Sequence, residues 1–117
     1  MNRTIKLGIL ILIALAPGCV RFTITDTNKF YKGMSATKVL ESVPVKPTNE
    51  FNIKVPSDPN TLYYVLQFDL HHGGIAADYF LLFKGPKLLY WGYPYEFNRY
   101  PDPIFNEIGV ELLKERD

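Results

Sequence analysis

From Leu62 to Leu70 the chain alternates without a break. Leu62, Tyr64, Leu66, Phe68 and Leu70 fall on one side of an extended backbone, and Tyr63, Val65, Gln67 and Asp69 on the other. A period of two does not fit a helix, whose faces recur about every 3.6 residues. It predicts an antiparallel strand with an apolar face over a core. Two more apolar runs follow, Tyr79 to Lys84 and Lys87 to Tyr93. Gly85-Pro86 joins them as a tight hairpin. Glycine supplies the positive φ that a type II′ turn needs at its first central position, and proline keeps φ negative at the second. His71-His72-Gly73-Gly74 reads as a turn or loop. Upstream, Pro44, Pro47, Pro56 and Pro59 break the chain into turns around one further strand, Phe51 to Val55.

Helical signals stand on either side of these strands. Ser35 is an N-cap by type, and Met34 with Val39 occupies the positions of a hydrophobic staple. Val39, Leu40 and Val43 then share a face, and Pro44 disfavours helical geometry at Val43, so a short helix is expected over 35–43. Near the end, Asp102-Pro103 pairs an N-cap with proline in the first turn. Ile104, Ile108 and Leu112 follow at four-residue spacing among charged residues, an amphipathic helix over 103–115 weakened by Gly109. The expected fold is α+β: a short N-terminal helix, an antiparallel sheet of three to four strands, and a C-terminal helix, with the helices on one side of the sheet.

The first eighteen residues differ in kind. Arg3 and Lys6 are their only charges, and Leu7 to Ala16 is an apolar run of about half the roughly 20 residues that span a bilayer core. A basic flank, a short apolar stretch and small residues describe a secretory signal peptide. Ala16-Pro17-Gly18 precedes Cys19, the only cysteine in the chain. This pattern resembles the lipobox of bacterial lipoproteins, in which the cysteine carries acyl chains and becomes the new N-terminus. The resemblance implies a signal peptide over 1–18, lipidation at Cys19, and anchoring to a membrane by two or three chains, which together hold a protein durably. Val20 favours the outer membrane, with the domain facing the periplasm. Residues 19–29 are read as the lipidated N-terminus and a tether, and 30–117 as a single α+β domain. Ten extended residues reach about 35 Å at most, so the domain sits close to the lipid.

Tyr31-Lys32-Gly33-Met34-Ser35, with Val39 and Val43 downstream, is similar to the opening of the small lipoprotein domain typified by BamE, also called SmpA or OmlA. A later echo is the aromatic strand pair Tyr79-Phe80-Leu81-Leu82-Phe83-Lys84-Gly85-Pro86-Lys87-Leu88-Leu89-Tyr90. The resemblance covers about 30–93. It implies a periplasm-facing scaffold role in outer-membrane protein assembly or envelope integrity, with an envelope protein as partner.

The residue chemistry points to binding and not to turnover. The sole cysteine stands at the lipidation position, and no Gly-x-Ser-x-Gly elbow occurs, so no catalytic site and no cofactor are assigned. Asp69, His71 and Asp78 would suit a divalent cation if the hairpin placed them on one face, but a solvated loop is the simpler reading and no metal site is assigned. Charges nearly balance, 13 Lys+Arg against 12 Asp+Glu, which leaves no footprint for nucleic acid. The unusual stretch is Tyr90 to Tyr100. Tyr95, Phe97, Arg99 and Tyr100, after Pro94, are expected in a partly exposed loop, and their types are those enriched at binding hot spots, with packing of the rings into the core as the equal alternative. They are the candidate partner-binding residues. The leading reading is a lipid-anchored interaction protein, and the alternative is a lipoprotein that stacks a sugar or peptide on the same rings.

Overall fold

The computed structural model describes residues 20–115. The signal peptide expected over 1–18 and the lipidation expected at Cys19 lie outside them. The described residues form, in order, β1 (Phe22–Thr23), α1 (Ile24–Thr27), α2 (Ala36–Ser42), β2 (Asn49–Val55), β3 (Asp58–His72), β4 (Ile75–Lys84), β5 (Lys87–Gly92), α3 (Pro94–Arg99) and α4 (Pro103–Glu115).

The strand read from the alternation is the spine of a mixed sheet. β3 runs for 15 residues, and β4 lies antiparallel to it from Tyr63↔Lys84 to His72↔Ile75. β5 continues the sheet beyond β4. On its other edge β3 carries two strands in succession: β2, antiparallel, and then β1, parallel, with Phe22 beside Leu70 and Thr23 beside His71. That parallel pair corrects the expectation of a purely antiparallel sheet. Two residues are too few to show a period, so the sequence pattern could not register β1.

Both faces of the sheet are covered, which corrects the expectation of helices on one side. Leu66, Phe68, Leu70, Tyr79, Leu81, Phe83 and Leu88 meet Phe22, Phe30, Met34, Val39 and Val43 from the N-terminal segment and α2. The opposite face, built from Ile53, Val55, Tyr63, Val65, Phe80 and Leu82, meets Phe97, Phe105, Ile108 and Leu112 from α3 and α4. A strand covered on both sides carries an unbroken apolar run in place of an alternation. β4 does so, with Phe80, Leu81, Leu82 and Phe83 consecutive and all fully buried.

Residues 22–29 are part of the domain and not a free tether. Phe22 is buried and stacks on Phe68 with ring centroids 4.6 Å apart. Asp26 accepts from the Thr23 amide (2.9 Å) and from Lys29 Nζ (2.9 Å), while the same ammonium donates to the Ser42 carbonyl (2.9 Å). Lys29 thus ties α1 to the last turn of α2. Apolar Phe22 and Phe30 bracket this polar stretch and supply the burial that holds it down.

The helix and turn signals act as expected. Ser35 Oγ accepts from the Lys38 amide (3.1 Å), and Met34 and Val39 are both buried beside it. Asp102 Oδ1 accepts from the Ile104 amide (2.8 Å) at the start of α4. Gly73 and Gly74 both take positive φ (60° and 80°), the geometry of a type I′ turn, so His71 and His72 belong to β3 and only the two glycines turn. Gly109 has a use that its helix propensity does not reveal. A Cβ there would run into the Asn98 side chain and come within 3.1 Å of the Asn98 backbone nitrogen, so its absence lets α4 lie against α3.

Candidate functional site

The segment after β5 is a short helix and not a loop. Pro94 takes the first helical position, where its missing amide costs nothing, and Glu96 Oε1 accepts from the Tyr93 amide (2.8 Å). Those two residues were the available sequence signal, hidden because six residues are too few to display a helical period.

Helical geometry divides the four candidate partner-binding residues. Phe97 points inward and is fully buried, its ring edge-on to Tyr90 at 4.9 Å and 6.4 Å from Phe105. Phe97 is therefore core, which corrects its assignment as an exposed binding residue. Tyr100 lies over the same cluster, 4.5 Å from Phe105 and 5.3 Å from Tyr90, with 37% of its surface exposed. Tyr95 and Arg99, one turn apart, face outward. Tyr95 is 52% exposed, Tyr93 stacks on it nearly parallel at 5.6 Å, and the Arg99 guanidinium lies over its ring at 5.2 Å. A tyrosine with two such neighbours is held in place while much of it stays open to solvent.

Tyr95 stands at the rim of an open groove of about 310 Å³ at the Gly73-Gly74 end of the sheet. Leu70 and Ala77, direct partners across β3 and β4, form its floor, and His72, Ile75 and Tyr93 complete the walls. Ile75 is the most exposed large apolar residue among those described, at 70%. The hairpin register explains the placement: a two-residue turn sets His72 opposite Ile75 and Leu70 opposite Ala77, bringing all four to one face. Sequence reasoning missed these residues because it took 71–74 as a loop. Beneath the groove, Tyr79 packs edge-on to Tyr93 at 5.1 Å. Burial first, and Glu96 next, push the Tyr79 hydroxyl well above the ordinary tyrosine range, and burial, with Tyr95 adding to it, also raises the Tyr93 hydroxyl. Both hydroxyls keep their protons at neutral pH.

The strand register also shifts the phase of the aromatic run. Phe83 pairs with Leu88 but Leu82 with Tyr90, so Leu89 is an extra residue, a β-bulge. Strict alternation would have put Leu89, Trp91 and Tyr93 together. Instead Leu88 shares a face with Trp91 and Tyr93, while Leu89 and Tyr90 pack on the other. Trp91 is partly buried, edge-on to Phe30 at 6.1 Å.

The hairpin register puts Asp69, His71 and Asp78 on one face, but they are not grouped as a ligand set. Asp69 and Asp78 are opposite one another across β3 and β4, and His71 is opposite Ala76. Asp78 Oδ1 accepts from Gln67 Nε2 (3.1 Å). Among the described residues no three His, Cys, Asp or Glu side chains are grouped to hold an ion. No helix among them is long and apolar enough to cross a membrane.

No known family model, curated protein or solved structure matches this chain.

Proposed function

We propose that the chain is a lipid-anchored interaction protein of the bacterial envelope, held by acyl chains on Cys19 and facing the periplasm, most naturally at the outer membrane. Its partner is an envelope protein docked in the groove between the β3–β4 hairpin and α3. Outer-membrane protein assembly or envelope integrity is the setting that the BamE resemblance implies.

The observation that carries this reading is the pairing of a groove with an apolar floor and two exposed side chains at its rim, Ile75 and Tyr95. Exposed apolar surface of this kind marks docking sites, and tyrosine and arginine are the types that dominate their energetics. Tyr93 and Arg99 already lie against the Tyr95 ring, which leaves less of it for a sugar to stack on and favours a protein surface.

Capture of the full-length protein from detergent-solubilised envelope tests it. Tyr95→Ala and Ile75→Ser are each expected to weaken partner recovery by about 2 kcal/mol, roughly thirtyfold in affinity. Leu62→Ala, exposed at the far end of β3, is expected to leave recovery unchanged. Equal recovery across all three variants contradicts the groove. Displacement by a soluble glycan with no protein retained would establish the ligand-binding alternative instead.

A further inference from the structure

A different surface lies at the other end of β4, around the Gly85-Pro86 turn. The Gly33 amide donates to the Leu88 carbonyl (2.8 Å) and the Leu88 amide to the Met34 carbonyl (2.8 Å). The segment before α2 is thereby held against the outer strand β5, which brings Lys32 beside Lys84 and Lys87. The three exposed lysines line one recess of about 290 Å³ with Leu88 and Leu89 in its wall. A second recess of about 330 Å³ adjoins it, shares Lys32 and Leu89, and ends on Tyr90 and Trp91. Leu89, the extra residue of the bulge, is common to both.

No carboxylate among the described residues lines either recess. Among those residues the ion pairs are Lys29 with Asp26 and Lys114 with Glu111, neither involving these lysines. The charge of Lys84 reaches Asp58, but that carboxylate already accepts from the hydroxyls of Tyr63 (2.7 Å) and Thr61 (2.9 Å). Lys84 and Lys87 are direct cross-strand partners, an arrangement in which like charges weaken a sheet. Three lysines lining one recess with no carboxylate in the lining favour an external anion. A lysine ammonium is a compact point charge, and several converging on one spot suit a multiply charged phosphate.

We propose that this corner binds a phosphomonoester carried on an apolar body, with the phosphate among Lys32, Lys84 and Lys87 and the body lying over Leu89 toward Tyr90 and Trp91. The combined recess is of the size that takes small ligands. The apolar body comes either from a soluble aryl phosphate or from a lipid whose headgroup is a phosphomonoester.

Trp91 is the only tryptophan in the chain, so the full-length protein in neutral detergent has one indole N–H resonance. That resonance and the Leu89 amide are followed during titration with 1-naphthyl phosphate, with dihexanoyl phosphatidic acid, and with inorganic phosphate. Saturable shifts are expected with one or both of the first two at concentrations well below those needed for inorganic phosphate. Tighter binding of the naphthyl ester assigns a soluble aryl phosphate, and tighter binding of the phosphatidic acid assigns a lipid headgroup. Each lysine-to-glutamine change is expected to weaken binding about tenfold or more, because each removes a hydrogen bond to a charged group. A variant with all three lysines changed to glutamine is expected to lose binding, and Lys87→Gln alone serves where that variant does not fold. Unsaturable shifts with both probes, or binding indifferent to Lys87→Gln, overturn the proposal.

Discussion

Replacing Gly109 with alanine sets two effects of opposite sign against each other. In an exposed helix the change would stabilise by about 1 kcal/mol, the helix-propensity difference between glycine and alanine. Gly109 is buried, however, and the added methyl meets the side chain of Asn98 and its backbone nitrogen, the latter at 3.1 Å. Asn98 can swing its amide away, but the backbone nitrogen moves only if α3 moves. α3 is pinned by Phe97 in the core and by Asn106, whose amide nitrogen, turned toward α3, reaches the carbonyls of Asn98 (2.7 Å) and Tyr100 (2.9 Å). Overpacking of this kind costs about 1–3 kcal/mol, so the propensity gain is cancelled and the expected net effect is a loss of up to about 2 kcal/mol. For a domain of this size that lowers Tm by up to roughly 16 °C. Urea and thermal unfolding of Gly109→Ala, Asn98→Ala and the double variant measure it. The penalty at position 109 is expected to shrink by about 1 kcal/mol in the Asn98→Ala background, since part of the obstacle is gone. Stabilisation by the full propensity gain in the otherwise unchanged protein would refute the close approach of α3 and α4.

Three other outcomes are expected. Phe97→Ala removes a fully buried ring and is expected to cost about 3–5 kcal/mol in urea unfolding, whereas Tyr95→Ala is expected to stay within about 0.5 kcal/mol. Alkaline pH is expected to destabilise the fold, because burial raises the Tyr79 hydroxyl above its value in the unfolded chain. Its contribution is complete below about pH 10, where the unfolded tyrosine is protonated, and is lost as pH rises from there, by up to about 1.4 kcal/mol per pH unit. Tyr79→Phe is expected to flatten that decline in unfolding measurements across the alkaline range. Cys19→Ser is expected to abolish incorporation of labelled palmitate and to alter processing, and unchanged labelling would end the lipoprotein reading.

What the sequence made legible was what repeats or what a single residue type dictates. The alternation over Leu62 to Leu70 located β3, Ser35 and Asp102 located two helix starts, and Gly85-Pro86 located a hairpin. Features that depend on meetings between distant segments stayed hidden. β1 exists because Phe22 is buried beside Leu70, not because two residues carry a pattern. The bulge at Leu89 reversed the expected faces of the aromatic run, since one extra residue moves every later side chain to the opposite side. Of the candidate binding residues, Tyr95 and Arg99 lie on the surface and Phe97 does not, because a helix of only six residues turns it inward. The groove was within reach of sequence reasoning: once Gly73-Gly74 is taken as a two-residue turn, Leu70, His72, Ile75 and Ala77 fall together.

The docking groove is tested most directly by site-specific photocrosslinking in intact cells. A photoreactive phenylalanine analogue is placed in turn at Ile75, Tyr95 and Leu113, the last an exposed apolar position on α4. Positions 75 and 95 are predicted to give a discrete adduct with one envelope protein, and position 113 none. Adducts of the same yield from all three positions, or from 113 alone, would contradict a partner docked in the groove.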